Sequence, residues 1–528
     1  MSDWERLQIS ARHKTISRRD FLGSSAALGV AAAVASSVLS KAGYAAEPAK
    51  GGTLRLGIGG GSTTDSLDPV TYNNGTAVSV GYQVMNGLIE IDEKQNAIPE
   101  LLESWDVKPG AKEWVFNIRK GVTFHNGKSL TADDILYSIN RNRGKESKSP
   151  IAGSLAIVEE LTKLDDHQIR FKLNSGNADF LYVLADFHLL VVPDGFADWT
   201  KPIGTGAFKL DAWEPGVRAT TKRNETYWKP GRGHVDAVEL TVIADSAARM
   251  NALIAGQVDV IDRVDKKAVD LLKAVPDLSL LQSPGGWHGI MAMMLDKAPY
   301  ENKDLRLALR YAMDREQALQ TLFNGFGSVA NDQPVPKFDP YFNSDLPQRP
   351  HDPDKAAFHF KKAGIAGTKI ELSASDAAFV GAVDMALLLQ AAAKKAGIDL
   401  QVKKEPADGY WDNVWMKAPF SISYWNGRPA ATELLGIPYK SDAAWNETHW
   451  RDPGFDKLLA EAKAETDTAK RKVYIWEMQR MLYEDGGAII PVFSDFLDGY
   501  SGKVKGQAPH SMFDLCNGRV AEKVWMES

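Results

Sequence analysis

The chain has 528 residues, 44% of them hydrophobic and 25% charged, which is ordinary globular material for about two to four domains. Its formal net charge of −6 at pH 7 excludes a general electrostatic attraction to nucleic acid or anionic lipid. The lone cysteine, Cys516, excludes an internal disulfide and any cysteine-based metal cluster.

Residues 1–45 have the layout of an export signal. Ser17-Arg18-Arg19-Asp20-Phe21-Leu22 is a twin-arginine pattern, the run from Phe21 to Ser40 carries no charge, and Gly43-Tyr44-Ala45 is a small-residue cleavage site. The run is rich in Ala, Ser and Gly rather than Leu, which favours a cleavable signal over a membrane anchor. Cleavage near Ala45 leaves a chain that is more acidic still, and no cysteine stands there to take a lipid. The expected product is soluble and periplasmic, exported by the twin-arginine pathway.

Residues 51–58 alternate as a first strand does. Gly59-Gly60-Gly61-Ser62 lacks the spacing of a phosphate loop. After the turn cluster at 65–69 comes a helix-like apolar run through 84–88. Trp114, Phe116 and Ile118 alternate as a strand, 121–128 reads as a hairpin with an Asn-Gly turn, and Thr131 reads as the N-cap of a helix with acids in its first turn. His125 has no second ligand at metal spacing and reads as a hydrogen-bonded loop histidine. The two glycines of Pro202-Ile203-Gly204-Thr205-Gly206 allow a sharp bend or the close approach of another chain segment.

In this order, Gly51-Gly52-Thr53-Leu54-Arg55-Leu56, Asp65-Ser66-Leu67-Asp68-Pro69, Gly121-Val122-Thr123-Phe124-His125-Asn126-Gly127, Thr131-Ala132-Asp133-Asp134 and Pro202-Ile203-Gly204-Thr205-Gly206 resemble the family 5 extracellular solute-binding proteins. That family includes the dipeptide-, oligopeptide- and nickel-binding receptors of ABC importers. The resemblance implies an α/β, two-lobed periplasmic binding protein (type II-like, cluster C) with an extra domain inserted in the first lobe. It implies lobe I from 51–82, 204–283 and 485–528, the extra domain from 83–203, and lobe II from 284–484. The 202–206 stretch would return the chain from the extra domain beside the hinge.

Further along, 302–325 reads as one helix with an apolar stripe from Leu305 to Met313, and Arg310 and Asp314 as a solvated ion pair on another face. Asp352-Pro353 starts a helix that Gly364 stops. Helical patterns follow at 382–396, 454–465 and 468–484, then a strand at 488–493 in which Pro491 marks an edge or bulge.

No zincin, nucleophile-elbow or phosphate-loop motif is present. The expectation is a receptor without catalytic residues, cofactor or bound metal of its own, working as a monomer with a permease that it contacts directly and the ATPase subunits behind it. Aromatic and polar residues read as loops, around Trp287-His288, Trp425-Asn426 and Asn446, suit a cleft that sandwiches a small polar ligand. With Thr205 near the hinge and Arg428, they are the candidate ligand-binding residues. In the family's peptide receptors an aspartate after a comparable tryptophan holds the peptide amine. Here Arg428 stands three residues after Trp425, and no aspartate lies in 421–431. An arginine there is a fork for carboxylate or phosphate, so the expected ligand has an anionic bound end, as an opine-like or acidic amino compound does, or is a peptide or peptide-like compound held in another manner. The alternatives are Arg428 paired with Glu433, a receptor for a nickel or other metal complex, and an exported hydrolase.

Overall fold

The computed structural model describes residues 3–12, 18–28, 48–144, 146–147 and 149–527. Two compact units result, Met1–Lys50 and Gly51–Ser528. In the first, helices Asp3–Arg12 and Arg18–Ala27 bring Trp4 and Phe21 to 5.7 Å between ring centroids. The cleavage site expected at 43–45 lies outside the described residues. Among the described residues no helix is long and apolar enough to cross a membrane.

The second unit is organised on a 12-stranded sheet. Strands Leu400–Lys404, Ile370–Ala374 and Phe420–Trp425 form one half, and strands Val260–Ile261, Thr53–Ile58, Ala237–Val242, Arg218–Arg223 and Phe208–Glu214 the other. Between them run two long antiparallel strands, Leu278–Met293 and Val492–Ser501, which join the two halves. Residues 88–191 pack around a separate four-stranded antiparallel sheet with its own apolar core.

The locally encoded elements form where their signals stand. Thr131 and Asp134 make a reciprocal capping box at helix Ala132–Asn140. Asp352 caps Pro353–Ala363, and Gly364 closes it at φ +70°. Gly204 and Gly206 serve the close approach rather than a sharp bend, for a Cβ on either would sit 2.2 Å from the Val84 carbonyl or 2.4 Å from that of Gln83. His125 lies against the same stretch, its ring 3.0 Å from the Gly206 carbonyl, and burial pulls its pKa down to about 4.

The segment expected as one helix over 302–325 is two, Lys303–Ala312 and Arg315–Phe323. The break is at Met313-Asp314, because the Asp314 carboxylate accepts the Gln317 N–H and caps the second helix. Asp314 therefore does not pair with Arg310. The Arg310 side chain is buried and donates to the carbonyl of Tyr483, in the last turn of helix Thr468–Asp485, and to those of Gly486 and Ala488 just past its end. A cation at a helix C-terminus meets both the free carbonyls and the negative end of the dipole. The strand expected over 488–493 is interrupted at Ile490-Pro491, with Ala488–Ile489 pairing on one side and Val492 beginning the long strand on the other.

Candidate functional site

A cavity of about 1220 Å³ opens where the two long strands cross between the sheet halves, with residues 150–187 forming a third wall. It exceeds the roughly 300–1,000 Å³ of ordinary small-molecule sites, so a ligand of more than one residue's size fits with room for water.

A local irregularity shapes the crossing. Ser283 pairs with Phe496 and Trp287 with Ser494, so three residues face one across the strand pair. The bulge turns Asp495 toward the cavity, where its carboxylate accepts Gln282 Nε2 at 2.6 Å and the Gly285 N–H at 3.4 Å. Gly286 then meets Gly427 backbone to backbone, and a Cβ on Gly427 would lie 3.0 Å from the Gly286 Cα. This contact lets the segment after strand Phe420–Trp425 fold over the bulge and aim Arg428 into the cavity.

Trp287 lies on the cavity wall in a strand rather than in a loop, stacked on Tyr424 with centroids 6.0 Å apart and edge-on to Phe379 at 5.1 Å. Asn426 and Arg428 also line the cavity. Trp425 and His288, likewise strand residues paired directly across, stand behind that wall. With Arg428 and Glu433 they line a side cavity of about 10 Å³, room for one water-sized group. His288 Nδ1 lies 3.0 Å from the Gly286 carbonyl, and burial lowers its pKa to about 4, so the ring stays neutral.

Thr205 and Asn446 fall outside both linings. The Thr205 hydroxyl is wholly buried and donates to Asn86 Oδ1 at 2.9 Å. Asn446 donates to the Trp450 carbonyl at 2.7 Å and steadies the turn that presents Trp445 to the cavity. From the same turn, Glu447 accepts Trp425 Nε1 at 2.6 Å, Trp415 Nε1 at 2.9 Å and the Ser423 hydroxyl at 2.5 Å. Glu447→Ala leaves three donors without their acceptor, the buried ones of Ser423 and Trp425 at about 1–3 kcal/mol each and the half-buried Trp415 at less. It is expected to destabilise the protein by about 3 kcal/mol or more and to shift tryptophan emission to the red, read together in a urea titration followed by fluorescence.

Arg428 donates only to the neighbouring Gly427 carbonyl, at 3.3 Å. Among the described residues neither its guanidinium nor the Glu433 carboxylate makes an ion pair within 4.0 Å, so the two do not neutralise each other by contact. Beyond these residues, the cavity takes Tyr182 and Asp186 from the third wall, and Lys266, Asp495 and Asp514 from the crossing side. Their segments come from distant parts of the chain, and no short motif announces them.

The profile of the bacterial extracellular solute-binding proteins, family 5 (middle region), matches residues 96–447. The chain belongs to that family. Among relatives of this family 5 protein, the di/tripeptide-binding protein 1 of Pseudomonas aeruginosa is 29% identical over 462 residues, covering 79% of this chain and 85% of the relative. HbpA2 from Haemophilus parasuis superposes with a TM-score of 0.80 at 22% identity, over 90% of this chain and all of the other. AgaA from A. tumefaciens R10, solved with agropinic acid, gives 0.73 at 24% identity, over 90% of this chain and 99% of the other. These likenesses show the two-lobed binding-protein fold. The cavity lies between the two halves of the sheet.

Proposed function

We propose that this family 5 protein is the periplasmic receptor of an ABC importer, taking a peptide or peptide-like solute into the cleft and handing it to a membrane permease. The observation that carries this reading is the cavity itself, bounded by both lobes and by the 150–187 wall, and lined by aromatic rings and charged groups of both signs. A ligand touching all three walls favours the closed arrangement and shifts the population toward it about the two crossing strands. The P. aeruginosa relative's description supports the peptide class. The Arg18-Arg19 pair and the uncharged run behind it support export by the twin-arginine pathway. A receptor reading assigns no covalent step to any residue.

A second reading, an opine-like acid, is favoured by Arg428, whose guanidinium reaches the cavity with no carboxylate in ion-pair contact among the described residues. One experiment separates the two. The small molecule that copurifies with gently isolated protein is released and weighed by mass spectrometry, and its affinity is then measured by calorimetry. A near-stoichiometric peptide or opine is expected, and Arg428→Ala is expected to weaken it at least ten-fold. A released molecule that the protein alters chemically on incubation would overturn the receptor reading.

A further inference from the structure

The segment 425–433 puts two opposite charges on one cavity wall and leaves both unspent. Strand Phe420–Trp425 ends, the Gly427 contact with Gly286 turns the chain, and Arg428 follows. Pro429 leads into helix Ala431–Tyr439, whose first turn carries Glu433. Both side chains are half-buried, and both line the main cavity and the small one behind it. Arg428 has one weak bond to its neighbour's carbonyl, and the Glu433 carboxylate has neither a hydrogen bond nor an ion pair among the described residues. Half-buried charges are costly unless paired, and two that face one cavity without meeting each other leave a gap with a positive and a negative edge.

We propose that Arg428 and Glu433 together read a dipolar head on the ligand, the guanidinium taking a carboxylate and the Glu433 carboxylate taking an ammonium or other cationic N–H group. The inference rests on the receptor reading above and narrows its ligand to zwitterions whose two charges lie close together, as at an amino-acid head or in a short free peptide. The planar fork of Arg428 suits two carboxylate oxygens at once, and Glu433 supplies the acceptor that an amine requires. Burial pushes the Glu433 carboxyl up to about 7, with Arg428 and Lys463 pulling it down and Asp179 and Asp186 adding to the rise. Because an ammonium binds the ionised form, affinity rises as pH increases through about 7, until the ligand's own amine loses its proton.

The test uses the full mature chain and a fixed panel: free Ala-Phe and Gly-Leu, their N-acetyl and C-amide forms, octopine and agropinic acid, each measured by thermal shift and calorimetry between pH 6 and 8. The expected result is that a zwitterionic member binds and that capping either end costs at least ten-fold. Glu433→Gln, which keeps the side chain's shape, should erase the penalty for acetylation and flatten the pH dependence. Arg428→Gln should erase the penalty for the amide. Capped and free forms bound alike, or a free form bound equally by both variants and the parent, would overturn the inference and leave the receptor reading standing. Binding of no member of the panel would also overturn the inference, and the receptor reading would then stand or fall on the copurifying solute.

Discussion

Asp332→Ala is expected to unfold the lobe that carries the tryptophan wall, because one carboxylate there answers three guanidinium groups. The Asp332 side chain is fully buried, with Arg315 Nη2 2.7 Å from both oxygens, Arg349 Nε at 2.9 Å and Arg310 Nε at 3.9 Å. It also accepts the Ile490 N–H at 3.1 Å, where the chain leaves strand Ala488–Ile489. These arginines in turn hold other elements, Arg310 the carbonyls at the end of helix Thr468–Asp485, and Arg349 the Tyr483 carbonyl and the Tyr311 and Tyr483 rings. Breaking one buried pair by deleting a partner typically costs about 3–5 kcal/mol. Deleting the shared partner of three sits at the top of that range or above it, comparable with the roughly 5–15 kcal/mol stability of a typical domain. Urea unfolding should show the midpoint collapse, and a parent-like midpoint would mean that the guanidinium groups are satisfied without Asp332.

The same site sets an acid limit. Burial alone would raise the Asp332 carboxyl, but Arg315, Arg310 and Arg349 outweigh it and hold it below the ordinary value. A depressed folded pKa means that the stabilisation is complete above the unfolded value of about 3.9 and drains away as pH falls below it through the folded one. Asp332→Asn should therefore be less stable at neutral pH and lose less on acidification than the parent.

The readable part of this protein is the part whose reasons are local. Thr131 with Asp134, and Asp352-Pro353 with Gly364, lie within a few residues of the helix ends they set, so their spacing alone carries the information. The one long helix expected over 302–325 went wrong for an equally local reason, since Asp314 interrupts an otherwise continuous apolar stripe by capping a new helix. The stretch around Trp287-His288 reads as a loop and proves to be a strand with a bulge at 284–286, because the partner strand that accommodates it lies some 210 residues away in sequence. The site divides in the same manner. Trp287, Asn426 and Arg428 advertise themselves by residue type, whereas Lys266, Asp495 and Tyr182 are ordinary residues until the fold gathers them. Asn446 and Thr205 stand out only by their neighbours in sequence; Asn446 holds the turn that presents Trp445, and Thr205 is buried away from the cavity on the Asn86 side chain.

Arg471→Met is expected to loosen the cleft without dismantling either lobe. Asp179, from the segment that packs with the four-stranded sheet, is buried and accepts both the Arg471 guanidinium and the Thr432 hydroxyl. The Ala178 N–H donates to the Lys463 carbonyl at 2.6 Å beside them, and the Arg471 guanidinium also lies 5.1 Å above the Tyr341 ring. The two sides of this tie carry the cavity wall, Tyr182 and Asp186 following Asp179, and Glu433 following Thr432. Here too a buried pair that loses one partner costs about 3–5 kcal/mol, but the cost falls mainly on the arrangement in which the walls meet, because an opened cleft returns Asp179 to water. At about 1.4 kcal/mol per factor of ten, the closed-to-open ratio would fall by roughly two to four orders of magnitude, and apparent ligand affinity would fall with the closed fraction. Small-angle scattering should report a larger radius of gyration for the variant, with the unfolding midpoint changed much less than by Asp332→Ala. An unchanged radius with a collapsed midpoint would instead assign Arg471 to the lobe's own stability. Thr432→Val, which leaves the ion pair in place, should move affinity in the same direction by a smaller factor.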